Sequence, residues 1–184
     1  LTYKNINIHV TPGRDLNNDG TEDADQPRVA NVQTAQGKWV GIELNYDCDI
    51  TLAEAIDESS LDAQDANYDY PGGLVDFAAE CGYSYMNTQV KLYFYDEQSS
   101  DILLRKYNPN TRQYADMTSF IAATSDLTID GHNVAILTYQ ITSENGLDVD
   151  PNPDDNIIAD PLGIAVAASP QSEGQDDQGA GQSS

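Results

Sequence analysis

Val90, Leu92 and Phe94 alternate with Lys91, Tyr93 and Tyr95, the period of two by which a strand turns successive side chains to opposite faces. The same alternation recurs along the chain. Ile6, Ile8 and Val10 share one face, with Asn5, Asn7 and His9 on the other, and Val40, Ile42 and Leu44 follow a Gln36-Gly37 turn. Residues 102–107 read as a strand closed by Asn108-Pro109-Asn110. Residues 134–141 follow Asp130-Gly131 and are apolar on both faces, which predicts a central, buried strand. Pro71-Gly72-Gly73 and Asn145-Gly146 supply further turns. Helix signals are weak. Thr51-Leu52-Ala53-Glu54 has the form of a capping box, but the apolar run behind it ends at Ile56. Residues 58–67 are polar and acidic and read as a loop with at most a short helical turn, and residues 119–123 as another turn. Short strands separated by turns predict an all-β chain, an antiparallel β-sandwich.

The 184 residues fit one domain, placed at 1–167, followed by a Ser/Gly/Gln-rich stretch at 168–184 that reads as a disordered linker. Hydrophobic residues make up 39%, below the usual ~45–50%, as expected if part of the chain stays outside the core. Lys and Arg number 8 against 31 Asp and Glu, a formal net charge of −23. Such a chain repels phosphate backbones and anionic lipid surfaces, which argues against nucleic-acid binding. No apolar run reaches the ~18–20 residues that span a bilayer, so this segment is not expected to insert in a membrane. The chain starts at Leu1 with no signal peptide before it, and reads as a mature segment or a piece of something longer.

Cys48 and Cys81 are the only cysteines, and neither belongs to a CxxC pair, so a structural zinc site is not expected. They could stay a buried thiol pair; in a secreted chain a Cys48–Cys81 disulfide is expected, closing a loop worth a few kcal/mol. His9 and His132 are far apart and read as surface or turn residues.

The carboxylates concentrate in two places. Asp15, Asn17, Asp19 and Asp23 fall at positions 1, 3, 5 and 9 of a loop with Gly20 at position 6. A tightly coiled loop with that spacing turns side-chain oxygens inward around one hard cation. The Thr21 carbonyl is the expected backbone ligand, with Gln26 or a more distant carboxylate completing the shell. Position 12 is Gln26 where an EF-hand has a bidentate Glu, and no long helices flank the loop. The ion expected is Ca2+, since no Cys or His is nearby. The second cluster places oxygens at every other position, Asp148, Asp150, Asn152 and Asp154, with Asp160 further on. It reads either as a second cation site or as a solvated loop stiffened by Pro151 and Pro153. The other carboxylates between positions 47 and 69 lack ligand spacing and read as surface charge.

Residues 15–26 followed by Pro27-Arg28-Val29-Ala30-Asn31-Val32 resemble the opening of the bacterial choice-of-anchor U domain, with its thrombospondin-type-3-like calcium loop. Tyr70-Pro71-Gly72-Gly73-Leu74-Val75-Asp76-Phe77 resembles that family's Tyr/Phe-Pro-x-Gly-Leu-x-Asp-Phe segment. Leu92-Tyr93-Phe94 precedes Arg105-Lys106-Tyr107-Asn108-Pro109, as a strand precedes the family's Lys-Tyr motif, and Asp116 and the strand at 134–141 follow. Leu147-Asp148-Val149-Asp150 and Ile157-Ile158-Ala159-Asp160-Pro161-Leu162-Gly163 resemble its closing Asp-x-Asp and Val-Asp-Pro-x-Gly elements. The similarity spans residues 14–165. The chain departs from it at Pro151-Asn152-Pro153-Asp154-Asp155, where the family is Gly-rich. The resemblance implies a domain on the bacterial cell surface, ahead of a C-terminal anchoring signal, and it carries no catalytic residue set.

The expectation is therefore a non-catalytic, calcium-stabilised extracellular stalk or presentation module. The alternative is a carbohydrate-binding or adhesion module that meets an extracellular polysaccharide or protein. It draws on the 11 tyrosines, especially Tyr83, Tyr85, Tyr93 and Tyr95, and on Trp39. Three rings exposed on one sheet face would favour it; tyrosine is also an ordinary strand residue. No Gly-x-Ser-x-Gly elbow, phosphate loop or His-Glu-x-x-His motif is present, so catalysis is not expected.

Overall fold

The computed structural model describes residues 10–82, 87–142, 147–149 and 157–168. The strands are β1 (Val29–Gln33), β2 (Trp39–Glu43), β3 (Cys48–Ile56), β4 (Tyr68–Asp69), β5 (Leu74–Cys81), β6 (Asn87–Tyr95), β7 (Leu103–Asn108), β8 (Gln113–Asp116), β9 (Ala123–Ile129), β10 (His132–Thr142) and β11 (Ile157–Ala167). One sheet runs β1-β2-β6-β10-β9 and the other β3-β5-β11-β7-β8, with β4 also paired to β11. Every pairing is antiparallel, and the two sheets pack as the expected sandwich.

The alternation places the core. Val40 and Ile42 of β2, Val90, Leu92 and Phe94 of β6 and Leu137 of β10 meet Phe77 and Ala79 of β5, Leu104 of β7 and Ile158 and Leu162 of β11. Fully burying an aliphatic or aromatic side chain of this kind stabilises by about 1.5–3 kcal/mol, so the interior is the main source of stability. β10 is buried on both faces from Val134 to Leu137, because β6 and β9 flank it and a second apolar cluster covers its outer side. Cys48 and Cys81 face each other across β3 and β5, with Cα atoms 4.0 Å apart, and form the expected disulfide.

The capping-box residues 51–54 lie within β3, where Thr51 and Glu54 are exposed and Ala53 is buried. Residues 58–67 are a loop that opens with a single 3₁₀ turn at Glu58–Ser60, and a similar turn occupies Thr118–Phe120. The sequence pattern did not mark β3, β4, β5, β8, β9 or β11 as strands. β9 is exposed at every residue but Ile129, so it carries no alternation. β11 contains Pro161, which sits where pairing to β7 has not yet begun; that pairing starts at Leu162. Such a half-paired position tolerates a missing N–H. The strand read at residues 6–10, apart from the buried Val10, the Asn145-Gly146 turn and residues 169–184 of the linker lie outside the described residues.

Candidate functional site

The acidic loop ahead of β1 lies on the outer face of the first sheet. Leu16 anchors it, 4% exposed and packed with Tyr93, Tyr95, Ile129, Val134 and Ile136. The Tyr95 hydroxyl donates to the Leu16 carbonyl at 2.8 Å. Gly41 of β2 makes room beneath: a Cβ there would lie 3.0 Å from the Leu16 Cβ and 3.2 Å from the Tyr93 Cβ. The loop turns tightly on its own hydrogen bonds. Gly20 takes φ +89°, the left-handed turn for which glycine is the natural residue. Asp15 accepts from the Asp19 and Gly20 amides at 3.1 and 2.9 Å, and Asp19 accepts from the Thr21 amide at 2.9 Å.

Three further contacts tie the loop's centre together. The Asn17 and Gln26 side-chain amides both donate to Asp19 Oδ2, at 3.1 and 2.7 Å. Asn17 also donates to Glu43 Oε2 on β2, at 3.1 Å. Glu43 in turn accepts from the Tyr93 hydroxyl at 2.9 Å and pairs with Arg28 at 3.2 Å. Glu43 is a further carboxylate beside the loop. Its only sequence signal is its place at the end of an alternating strand, on the face opposite Val40 and Ile42.

Asp23 is fully buried. Its carboxylate accepts from the Leu16 amide at 3.1 and 3.2 Å and from Asn31 Nδ2 at 2.9 Å. Burial pushes its pKa up to about 6, and the charges of Asp15 and Asp19 push the same way, against the pull of those hydrogen bonds. Asp19 is held below the usual carboxylate range, where the donors Gln26, Thr21 and Asn17 outweigh its slight burial. The side-chain oxygens of Asn17 and Gln26 are buried with no hydrogen-bond partner. Buried acceptors left unpaired are costly, and hard oxygens of this kind are what Ca2+ takes as ligands. The residues present therefore fit a hard cation by donor type. Among the described residues, however, no three His, Cys, Asp or Glu side chains stand together as a metal-ligating group. Asp15, Asp19 and Asp23 are turned to different donors and do not converge.

The second predicted cluster is only partly described. Asp148 Oδ1 accepts from the Ala159 amide at 3.1 Å; Asp150, Asn152 and Asp154 lie outside the described residues. Asp160 has its own partners inside the sandwich. It is fully buried between the sheets, 2.7 Å from Lys106 Nζ, and it accepts from the Tyr139 hydroxyl at 2.5 Å. Asp65 is likewise not surface charge: its side chain is 8% exposed and held bidentately by Arg105 at 2.6 and 3.2 Å.

Two of the tyrosines read as a possible platform are covered. Tyr93 and Tyr95 are 5% and 7% exposed beneath the acidic loop. Arg14 lies over the half-buried Trp39 ring at 4.1 Å. Tyr83 and Tyr85 lie outside the described residues. Tyr46 is 88% exposed, beside a cleft of about 570 Å3 that Arg28, Glu43, Asp47, Gln89 and Lys91 help to line. Compared with family models, with curated proteins and with solved structures, the chain finds no match in any of the three.

Proposed function

We propose that this chain is a non-catalytic, calcium-stabilised extracellular domain of a bacterial surface protein, a stalk or presentation module of the choice-of-anchor U kind. The observation that carries the reading is the coiled loop at 13–26. It buries the carboxylate of Asp23 among neutral donors and leaves the Asn17 and Gln26 oxygens unpartnered. A bound Ca2+ would supply the missing positive charge. Asp15, Asn17, Asp19, the Thr21 carbonyl, Asp23 and Gln26 would turn inward from their present donors to hold it, with Glu43 as a further carboxylate. Extracellular modules work with calcium dissociation constants of ~10⁻⁴–10⁻³ M, so a site this modest suits that setting. The Cys48–Cys81 disulfide supports an oxidising compartment. A calorimetric melt in calcium and in chelator, at low ionic strength, tests the reading: a higher Tm in calcium is expected, and identical melts would reduce the loop to an acidic turn.

The alternative, a carbohydrate-binding or adhesion module, loses the Tyr93 and Tyr95 platform and keeps the cleft at Tyr46. Retention on immobilised polysaccharide that Tyr46→Ala abolishes would favour it over a stalk.

A further inference from the structure

The sandwich interior holds one feature that neither the calcium loop nor the hydrophobic core explains. Lys106 of β7 and Asp160 of β11 are 5% and 0% exposed, and the lysine nitrogen lies 2.7 Å from Asp160 Oδ1. From the opposite sheet, the Tyr139 hydroxyl donates to Asp160 Oδ2 at 2.5 Å. β7 and β11 are neighbours, with Lys106 opposite Leu162. An ammonium brings three N–H donors, yet Lys106 Nζ has no hydrogen bond of good geometry, and neither has Asp160 Oδ1. A salt bridge buried with unsatisfied donors is a poor arrangement, because desolvating both charges costs more than imperfect contact returns.

We propose that Lys106 and Asp160 condense spontaneously to an isopeptide bond that cross-links β7 to β11. An amide at this place brings one N–H to satisfy instead of three and carries no charge. The inference is independent of the calcium reading. The step balances without an oxidant or co-reactant. One proton passes from Nζ to Oδ1 along the 2.7 Å contact, leaving an amine and a carboxylic acid. The Nζ lone pair attacks Cγ, and the developing oxyanion forms on Oδ2, where the Tyr139 hydroxyl already donates. Burial and the Asp160 charge push the Tyr139 phenol well above its ordinary pKa, so it stays a donor throughout. A second proton passes from nitrogen to Oδ1, the Cγ–Oδ1 bond breaks, and water leaves. The third proton remains as the amide N–H. Two strands that hold the groups in contact replace a bimolecular encounter, and a lysine amine shielded from water is an effective nucleophile.

The test is the intact mass of the full chain, denatured and with its disulfide reduced. The expected mass is one water below that of the sequence, with a digest that yields a branched peptide joining the Lys106 and Asp160 segments. Full sequence mass overturns the proposal. So does a water loss that maps to a cyclic imide at Asp130-Gly131. Neither result depends on a variant folding. Lys106→Met is expected to restore the full mass. Tyr139→Phe is expected to slow linkage on the order of 10²-fold, the usual effect of removing an oxyanion donor; unchanged speed would remove Tyr139 from the step.

Discussion

Two acidic loops lie on opposite outer faces of this sandwich, and they balance their buried charge differently. The loop at 57–67 covers tyrosines of the second sheet: Tyr70 donates to Asp65 at 2.7 Å, and Tyr114 donates to the Ala63 carbonyl at 2.9 Å. Its buried carboxylate, Asp65, meets a guanidinium from the sheet itself, and Arg105 also lies 4.0 Å over the Tyr68 ring. The loop at 13–26 covers Tyr93 and Tyr95 in the same manner, but among the described residues the Asp23 carboxylate meets the Leu16 amide and Asn31. Arg28, just ahead of β1, pairs with Glu43, and Arg14 of the loop lies over the Trp39 ring. One loop's buried carboxylate is held by an arginine and the other's by neutral donors. Calcium dependence should therefore be confined to one face.

The largest effect is expected where the cation is covalently supplied. Arg105→Ala would leave Asp65 nearly buried and unpaired, and breaking such a pair costs about 3–5 kcal/mol. The loss of Tm should be the same in calcium and in chelator. A loss under about 1 kcal/mol would place the pair with ordinary surface bridges and erase the contrast.

Chelation should come next. At a free concentration about 100 times the dissociation constant, a ligand specific to the folded state adds about 2.7 kcal/mol. Asp19→Ala should abolish most of the calcium increment, since Asp19 gathers Asn17, Gln26 and Thr21 around the centre of the loop. Asp62→Ala should leave it intact. Asp62 is exposed and its pair with Arg112 spans 3.5 Å at the surface. Equal calcium increments in the two variants would mean that the ion binds elsewhere.

That contrast was only half visible in the sequence. The spacing of Asp15, Asn17, Asp19 and Asp23 around Gly20 is local, and a local pattern survives without tertiary information. Alternation gave β2 and β6, and a continuous apolar run gave β10, for the same reason. The cation for Asp65 comes from Arg105, 40 residues away, and Glu43 reaches Asn17 across 26. Neither pairing leaves a trace in spacing. Asp160 shows the opposite failure: its place after an acidic run suggested a ligand, whereas the strand register of β11 turns it inward to Lys106. The loop's cover over Tyr93 and Tyr95 was also invisible, because alternation assigns the two faces without saying what lies on either.

Acid should weaken the calcium effect in a defined window. In chelator, Asp23 has a folded pKa of about 6 against 3.8 unfolded. The folded state therefore holds a proton that the unfolded state has lost, and stability falls as pH rises from about 4 through 6. Asp76, also raised to about 6 by burial and by Glu54 and Asp160, adds the same slope but lies outside the loop. It cancels in the difference between calcium and chelator. Calcium must displace the Asp23 proton, so its apparent affinity should drop about tenfold per pH unit below 6. Calcium titrations at pH 7.5 and pH 5 would read this, and equal affinities at both would take Asp23 out of the site.

The smallest expected effect separates a calcium loop from an acidic turn by its sign. Gln26→Glu puts a carboxylate at position 12, where a bidentate ligand completes a coiled calcium loop. With calcium bound it should tighten the site by about tenfold, or about 1.4 kcal/mol, since a further charged oxygen faces the ion. In chelator it should act the other way. Gln26 Nε2 now donates to Asp19 Oδ2 at 2.7 Å, and the substitution replaces that donor with a second negative charge beside Asp19. The variant should then melt lower than the parent without calcium and higher with it. A loop that merely turns would be destabilised in both conditions, and a loop insensitive to its own charge would be destabilised in neither.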